Sequence, residues 1–224
     1  MDAIQFNSTA YPQSRCGQDD SRIKRVLPLM GAPERVLDVG CLDGTIGELF
    51  LSQGSEVYGL DASRPAIEKA ASRGIKAKLG NVEEDFPFEN EFFDAVFAGE
   101  IIEHVFDVDK MLSEMHRVLK PDGFAIVTTP NLAALGRRLM LLLNRNPHIE
   151  ISFKGNAAGH IRYFVKSELL RILRVHGFRV ECFCSDVVNF NSSGSLRSVA
   201  LARMFPTLGR ALIVKAIKVA PDNR

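Results

Sequence analysis

Short apolar runs alternate along this chain with segments whose apolar positions recur at helical spacing. This is the pattern of a sheet with helices on both faces. Arg35 to Val39 reads as a buried strand and Thr45 to Ser52 as a helix, with Thr45 and Glu48 at capping-box spacing. Glu56 to Leu60, Ile75 to Leu79 and Phe92 to Phe97 predict three further strands bounded by Gly, Asn or Asp, and Arg64 to Arg73 predicts a helix. Met111, Leu112, Met115, Val118 and Leu119 mark one helix face, and Pro121, Asp122 and Gly123 stop that helix before a strand at Phe124 to Thr129. Lys166 to His176 then suits a helix and Phe178 to Cys184 a strand. A last strand, Ala211 to Val219, is expected at a sheet edge because Lys215 and Lys218 discourage sheet-to-sheet association. The fold class is α/β, a doubly wound sheet, in one domain over residues 1–224.

Residues 131–160 interrupt this alternation with an insertion longer than an ordinary connection, which makes it a candidate lid or acceptor site. Leu132, Leu135, Leu139, Leu142 and Leu143 recur there at helical spacing, with Arg137, Arg138 and Arg145 close by. Two readings fit. One is a cap over an apolar, lipid-like or anionic acceptor, and the other is a helix packed on its own sheet.

Composition narrows the setting. The chain has 224 residues, enough for one sizeable core. Its 28 Lys+Arg against 27 Asp+Glu leave a formal charge of +1, so no global field gathers nucleic acid or an anionic bilayer. The four cysteines form no C-x-x-C pair, Cys182 and Cys184 alternate onto one strand face as packed thiols, and the first residues lack a secretory pattern; a reduced cytoplasmic setting is expected. No apolar run approaches the roughly 20 residues of a membrane span. Residues 1 to 20, with Tyr11 as the candidate contact, either fold over a ligand or fray.

The turn after the first strand carries the chemistry. In an open α/β sheet, ligands settle beyond the carboxyl ends of the strands. Gly40 and Gly44 let the backbone approach a ligand closely. A dinucleotide loop would need a middle glycine where Leu42 stands, and Asp38 adds negative charge where two phosphates would lie. A cationic ligand such as a sulfonium fits better. Asp61 ends the second strand about 20 residues past the first glycine, where a carboxylate accepts hydrogen bonds from ribose hydroxyls. Asn81 and Val82 end the third strand, at the place for reading an adenine, and Gly99 and Glu100 end the fourth.

The segments VLDVGCLDG, GLDAS, GNVEEDFPF, FDAVFAGEIIEHVFD and RVLKPDGFAIVTTPN come in the order and spacing of class I S-adenosylmethionine-dependent methyltransferases, which the chain resembles over about residues 20 to 190. The resemblance implies a seven-stranded, mostly parallel, Rossmann-like sheet with a helical lid, and S-adenosylmethionine as cofactor. It implies that Asp38, Gly40, Cys41 and Gly44 border the methionine part, that Asp61 and Ala62 hold the ribose, and that Asn81 and Val82 flank the adenine. The chain departs from the family pattern twice. Leu42 replaces the usual second glycine, so that the turn opens or Leu42 lies against the ligand, and Asn81 replaces a common Asp.

Glu100, Glu103 and His104 are spaced i, i+3, i+4 and share a face if that segment is helical. His160 precedes the next helix. The set resembles the E-x-x-E-H plus distal His of ubiquinone-biosynthesis O-methyltransferases and of small-RNA terminal 2′-O-methyltransferases, which implies a divalent metal held by Glu100, Glu103, His104 and His160 beside a reacting hydroxyl. Mixed oxygen and nitrogen ligands suit Mg, Mn, Fe or Zn. The alternative is that His104 packs or caps in the turn. Without a metal, His104 or His160 is the catalytic base that takes the acceptor proton. The expected partner is a small-molecule acceptor with a hydroxyl oxygen. An RNA 2′-O-methyltransferase is disfavoured by the neutral charge, and a non-catalytic module that binds the cofactor is the third reading.

Overall fold

Five strands are parallel: β1 (Arg35–Val39), β2 (Glu56–Asp61), β3 (Lys76–Leu79), β4 (Phe93–Gly99) and β5 (Leu119–Pro130). In the computed structural model, which describes residues 20–150, 159–190 and 195–219, two more strands extend this sheet through antiparallel pairings, so that one of them runs opposite to all the rest. These are β6 (Phe178–Cys184) and, after a short ribbon of β7 (Val188–Asn189) and β8 (Arg197–Ser198), β9 (Ala211–Lys218). The order across the seven strands is β3-β2-β1-β4-β5-β9-β6. The expected doubly wound, mostly parallel sheet is therefore present.

The central strands are apolar on both faces because each face is covered. Leu37, Val39, Val96, Ala98, Leu212 and Val214 point to one side, where α4 (Val108–Val118) supplies Met111, Leu112 and Met115, and α6 (Lys166–Val175) supplies Leu169 and Leu173. Val36, Ala95, Phe97, Ile126 and Ile213 point to the other. There they meet α1 (Ile23–Met30) through Ile23 and Val26, and α2 (Thr45–Ser52) through Ile46 and Phe50, beside α3 (Arg64–Ser72). Successive residues of one strand alternate between the two cores, so a slip of one residue would exchange them.

The expected edge position of Ala211–Val219 is corrected by this topology: β9 lies between β5 and β6. Ile213 and Val214 are buried on opposite faces, which demands covering layers and neighbours on both sides. The lysines are accommodated by their length. Lys215 lays its ammonium 4.2 Å from the Phe124 ring centre and 3.3 Å from Glu181, while Lys218 donates to the Leu119 carbonyl at 2.7 Å. The outer strands are β3 and β6.

The Thr45–Glu48 capping box is also replaced. The N-cap of α2 is Gly44 in the left-handed conformation (φ 78°), and Asp43 accepts from both Thr45 N (3.2 Å) and Thr45 Oγ1 (2.8 Å). Glu48 instead reaches Arg73 at 2.5 Å.

The insertion contains α5 (Leu135–Leu142), none of whose residues is buried. Leu142 at its end is 81% exposed, and Leu143 just after it 68%. Residues 151–158 of the insertion, and Tyr11, lie outside the described residues.

Gly44 locks the first turn against α3. A Cβ there would lie 2.5 Å from Ile75 Cδ1 and 2.9 Å from the Ala70 Cα, on a backbone that side chains rarely adopt. Gly44→Ala should therefore cost about 2 kcal/mol or more of stability, read as a lower midpoint in urea denaturation.

Candidate active site

The crevice lies at the carboxyl ends of β1, β2, β4 and β5, where parallel strands leave their last N–H and C=O groups to the following turns. Gly40 N and Cys41 N both donate to the Leu60 carbonyl (2.8 and 3.2 Å), which closes the first turn onto β2. Leu42 then takes φ 47°, the left-handed conformation for which glycine is usual, at a cost of roughly 1–2 kcal/mol. Its N–H donates to Asp61 Oδ2 at 2.9 Å, and Ser63 N donates to Asp61 Oδ1 at 2.8 Å. The turn thus keeps the shape a glycine would give it. Each Asp61 oxygen retains a lone pair beyond these bonds.

The side chains sort into those that face the crevice and those that pack behind it. Cys41 is buried and would touch any Cβ placed on Gly59, so its thiol fills the sheet and only its backbone belongs to the turn. Burial pushes that thiol's pKa far up, which makes it inert. Asn81 uses its side chain locally, accepting from Glu83 N (3.0 Å) and donating to Glu84 (3.3 Å), and Val82 packs against the core. Ala62 follows Asp61 at the end of β2, and Gly99 ends β4 where a Cβ would strike the Phe97 ring at 2.4 Å.

Asp38 is 3% exposed, and its Oδ2 has no hydrogen-bond partner among the described residues. Burial, then repulsion from Asp61, lifts its pKa to about 7 against the pull of Arg22. Burial likewise raises Asp61, Glu100 and Glu103. Three buried carboxyls and the half-buried Glu100 around one crevice favour a cationic ligand over a diphosphate.

Arg22 is the functional candidate that sequence reasoning passed over. It sits just before α1, is 5% exposed, donates from Nη1 to Thr128 Oγ1 at 2.7 Å and lies 3.9 Å from Glu100. Nothing in its local sequence separates it from Lys24 or Arg25. Only the fold brings it to the end of β5.

Glu100 does not join the expected row with Glu103 and His104. Its φ is 56° and only Ile102–His104 form a single 3-10 turn, so the helical spacing never develops. Glu100 instead accepts from Thr128 at 3.3 Å. Glu103, His104 and His160 do come together, with one ligand atom from each all within 4.8 Å of one another. Glu103 Oε2 accepts from Thr129 at 2.9 Å, while its Oε1 is buried without a hydrogen-bond partner. His104 Nδ1 lies 3.1 Å from the Gly159 carbonyl, which can only accept, so Nδ1 carries the proton and Nε2 the lone pair. Burial holds His104 at about 4, so it is neutral at physiological pH.

A family model described as a methyltransferase domain matches residues 13–182. The chain belongs to the methyltransferase domain family. Two curated relatives are ubiquinone biosynthesis O-methyltransferases. That of Mesorhizobium japonicum is 37% identical over 46% of this chain and 44% of its own length, and the mitochondrial protein of Bos taurus is 32% identical over 52% and 34%. The chain therefore spans less than half the length of the curated relatives it matches. Among solved structures, an S-adenosylmethionine-dependent methyltransferase of Thermotoga maritima superposes with a TM-score of 0.66 at 21% identity, covering 88% of both chains. The [4+2]-cyclase SpnF superposes at 0.61 and 18% identity over 97% of this chain and 92% of its own. Likeness at this level shows the class I methyltransferase fold, which the motifs had implied, and the cyclase shows that the fold alone does not choose the reaction. Among the described residues, no helix is long and apolar enough to cross a membrane.

The raised Asp38 pKa has a sign that can be read in solution. A carboxyl raised from 3.8 to about 7 stabilises the fold while protonated, and that contribution is lost as pH rises from about 4 through 7. Urea denaturation should show the ligand-free chain losing stability over this range, with a smaller loss in Asp38→Asn.

Proposed function

We propose that this chain transfers a methyl group from S-adenosylmethionine to a hydroxyl oxygen of a small, apolar or lipid-like acceptor. The observation that carries this reading is the buried Asp38 carboxyl, whose Oδ2 has no hydrogen-bond partner among the described residues, in a glycine-lined crevice, together with a neutral imidazole whose lone pair is fixed on Nε2. The crevice is suited to a ligand with an ammonium and a sulfonium, which would supply Asp38 with the donor and the charge it lacks. Asp61 is positioned to accept from ribose hydroxyls. A polyanionic RNA acceptor fits poorly beside three buried acids and the half-buried Glu100, and the relatives named as ubiquinone biosynthesis O-methyltransferases support an oxygen acceptor.

Methyl transfer needs the acceptor oxygen in line with the sulfonium methyl, so most of the acceleration can come from holding both reactants in that geometry. His104 Nε2 accepts the hydroxyl proton, and the Gly159 carbonyl holds the ring in the tautomer that permits this. His160, whose ring centre is 4.9 Å from that of His104, packs beside it. The residues also fit a divalent cation: a carboxylate and two imidazoles converge, and Glu103 Oε1 is a buried acceptor with nothing to accept from. Such an ion, held by Glu103, His104 and His160, would take the His104 Nε2 lone pair in place of the acceptor proton, would supply Lewis acidity that lowers the pKa of the acceptor hydroxyl, and would leave solvent as the base.

Two substitutions separate binding from chemistry. Asp61→Ala should weaken S-adenosylmethionine binding at least tenfold by calorimetry. His104→Ala should cut kcat by about 100-fold or more while the cofactor Kd stays within threefold. Equal loss of both quantities in His104→Ala would mark the histidine as structural, and turnover insensitive to chelators would count against the cation.

A further inference from the structure

Arg137 is the third residue of α5. Arg22 and Arg117 face the carboxylates of Glu100 and Glu114, and Arg25 and Arg162 each bury an Nε without a partner; in Arg137 the open atom is at the end of the guanidinium fork. The adjacent Arg138 is exposed and donates to the Ala133 carbonyl at 2.5 Å. Arg137 Nη1 is buried and has no hydrogen-bond partner, and the guanidinium carbon lies 5.7 Å from the Tyr163 ring centre. Burial depresses its pKa, with only the more distant Tyr163 and Glu100 opposing. A buried donor left unsatisfied is destabilising, more so when it carries charge.

The group faces the candidate active site. Tyr163 packs its ring 5.8 Å from His160, which in turn packs 4.9 Å from His104, so a row of rings runs from the proposed base to the guanidinium. Tyr163 is itself fixed, its hydroxyl accepting from Glu150 N at 2.6 Å, and His160 N donates to Glu150 Oε2 at 3.0 Å. We infer that Arg137 receives a carboxylate carried by the acceptor, at the end of the molecule remote from the reacting hydroxyl. A carboxylate satisfies a guanidinium fork with two parallel bonds. A doubly charged phosphate would fit less well, because the same crevice already holds the Glu100 and Glu103 carboxyls. Aromatic walls on one side and a single fixed cation on the other select a ring that bears an acidic arm.

This inference rests on the reading of His104 as the hydroxyl end, and the test keeps the two apart. The probes are 3,4-dihydroxyphenylacetate and 4-methylcatechol, which differ by the carboxylate. Each is titrated by calorimetry into the full chain saturated with S-adenosylhomocysteine, whose own affinity reports an intact fold. The acid should bind at least tenfold more tightly than the neutral catechol. Arg137→Gln should abolish that preference, and Arg137→Lys, which keeps the charge without the fork, should restore part of it. Equal affinities in the unsubstituted chain, a preference that survives Arg137→Gln, or binding of neither probe would overturn the inference. If the preference depends on Arg137 but neither probe is methylated, the inference stands and the proposed reaction falls. Methylation of both probes with equal kcat/KM would support the reaction and overturn the inference.

Discussion

The crevice depends on a guanidinium set among carboxylates. Arg22 lowers the cost of keeping Asp38, Glu100 and Glu103 out of water, and without its charge each would be driven further toward its neutral form. The position of Arg22 is secured from both ends of the chain. Asp20 accepts from Arg22 N at 2.7 Å, and Ser21 donates to Asp186 at 3.0 Å. Asp186 is itself held by Arg210 Nε (2.8 Å) and by Ala211 N (3.1 Å) at the start of β9. The antiparallel strand β9 therefore extends the sheet and also anchors the turn that brings a cation to the end of β5. Arg22 is outnumbered there by Asp38, Asp61, Glu100 and Glu103, and a cationic ligand would redress that balance.

Seen this way, Leu42 is a tolerated departure. What the turn requires is a left-handed residue whose N–H points at Asp61, and leucine meets that requirement at the cost of strain. The hydrogen bond to a buried carboxylate, which is stronger than one between neutral groups, offsets part of that cost. The same carboxylate holds the first turn through Leu42 N and Ser63 N, so if it also takes the ribose as proposed, the turn and cofactor recognition could not be altered separately.

How much of this was legible in the sequence depended on whether the signal was local. The parallel strands could be read because burial on both faces leaves runs such as Val36 to Val39, and Asp38 and Asp61 because their distances from a glycine turn are set by one strand–helix–strand unit. The end of β9 misled because Lys215 and Lys218 resemble edge residues until Phe124, Glu181 and the Leu119 carbonyl are seen to receive them. Glu100 misled because i, i+3, i+4 spacing implies a shared face only on a helix, and one positive φ dissolves that face. Arg22 carried no local signal, since its partners Thr128 and Glu100 are brought to it only by the sheet. The convergence of Glu103 and His104 with His160 was legible only through the family resemblance, because it is made across the insertion.

The lid helix brings these threads together. An eight-residue helix has little stability of its own in water, and the residues of α5 are at most half-buried, so packing adds little. Its inward side offers a buried guanidinium without a partner, and its outward side offers leucines that are largely exposed. A helix in that condition is stabilised by whatever fills the space beneath it. An acceptor that supplied a carboxylate to Arg137 would favour the arrangement in which α5 lies over the crevice, because that contact exists only there. Acceptor recognition and exclusion of water from the methyl-transfer geometry would then be one event, driven by the same ion pair.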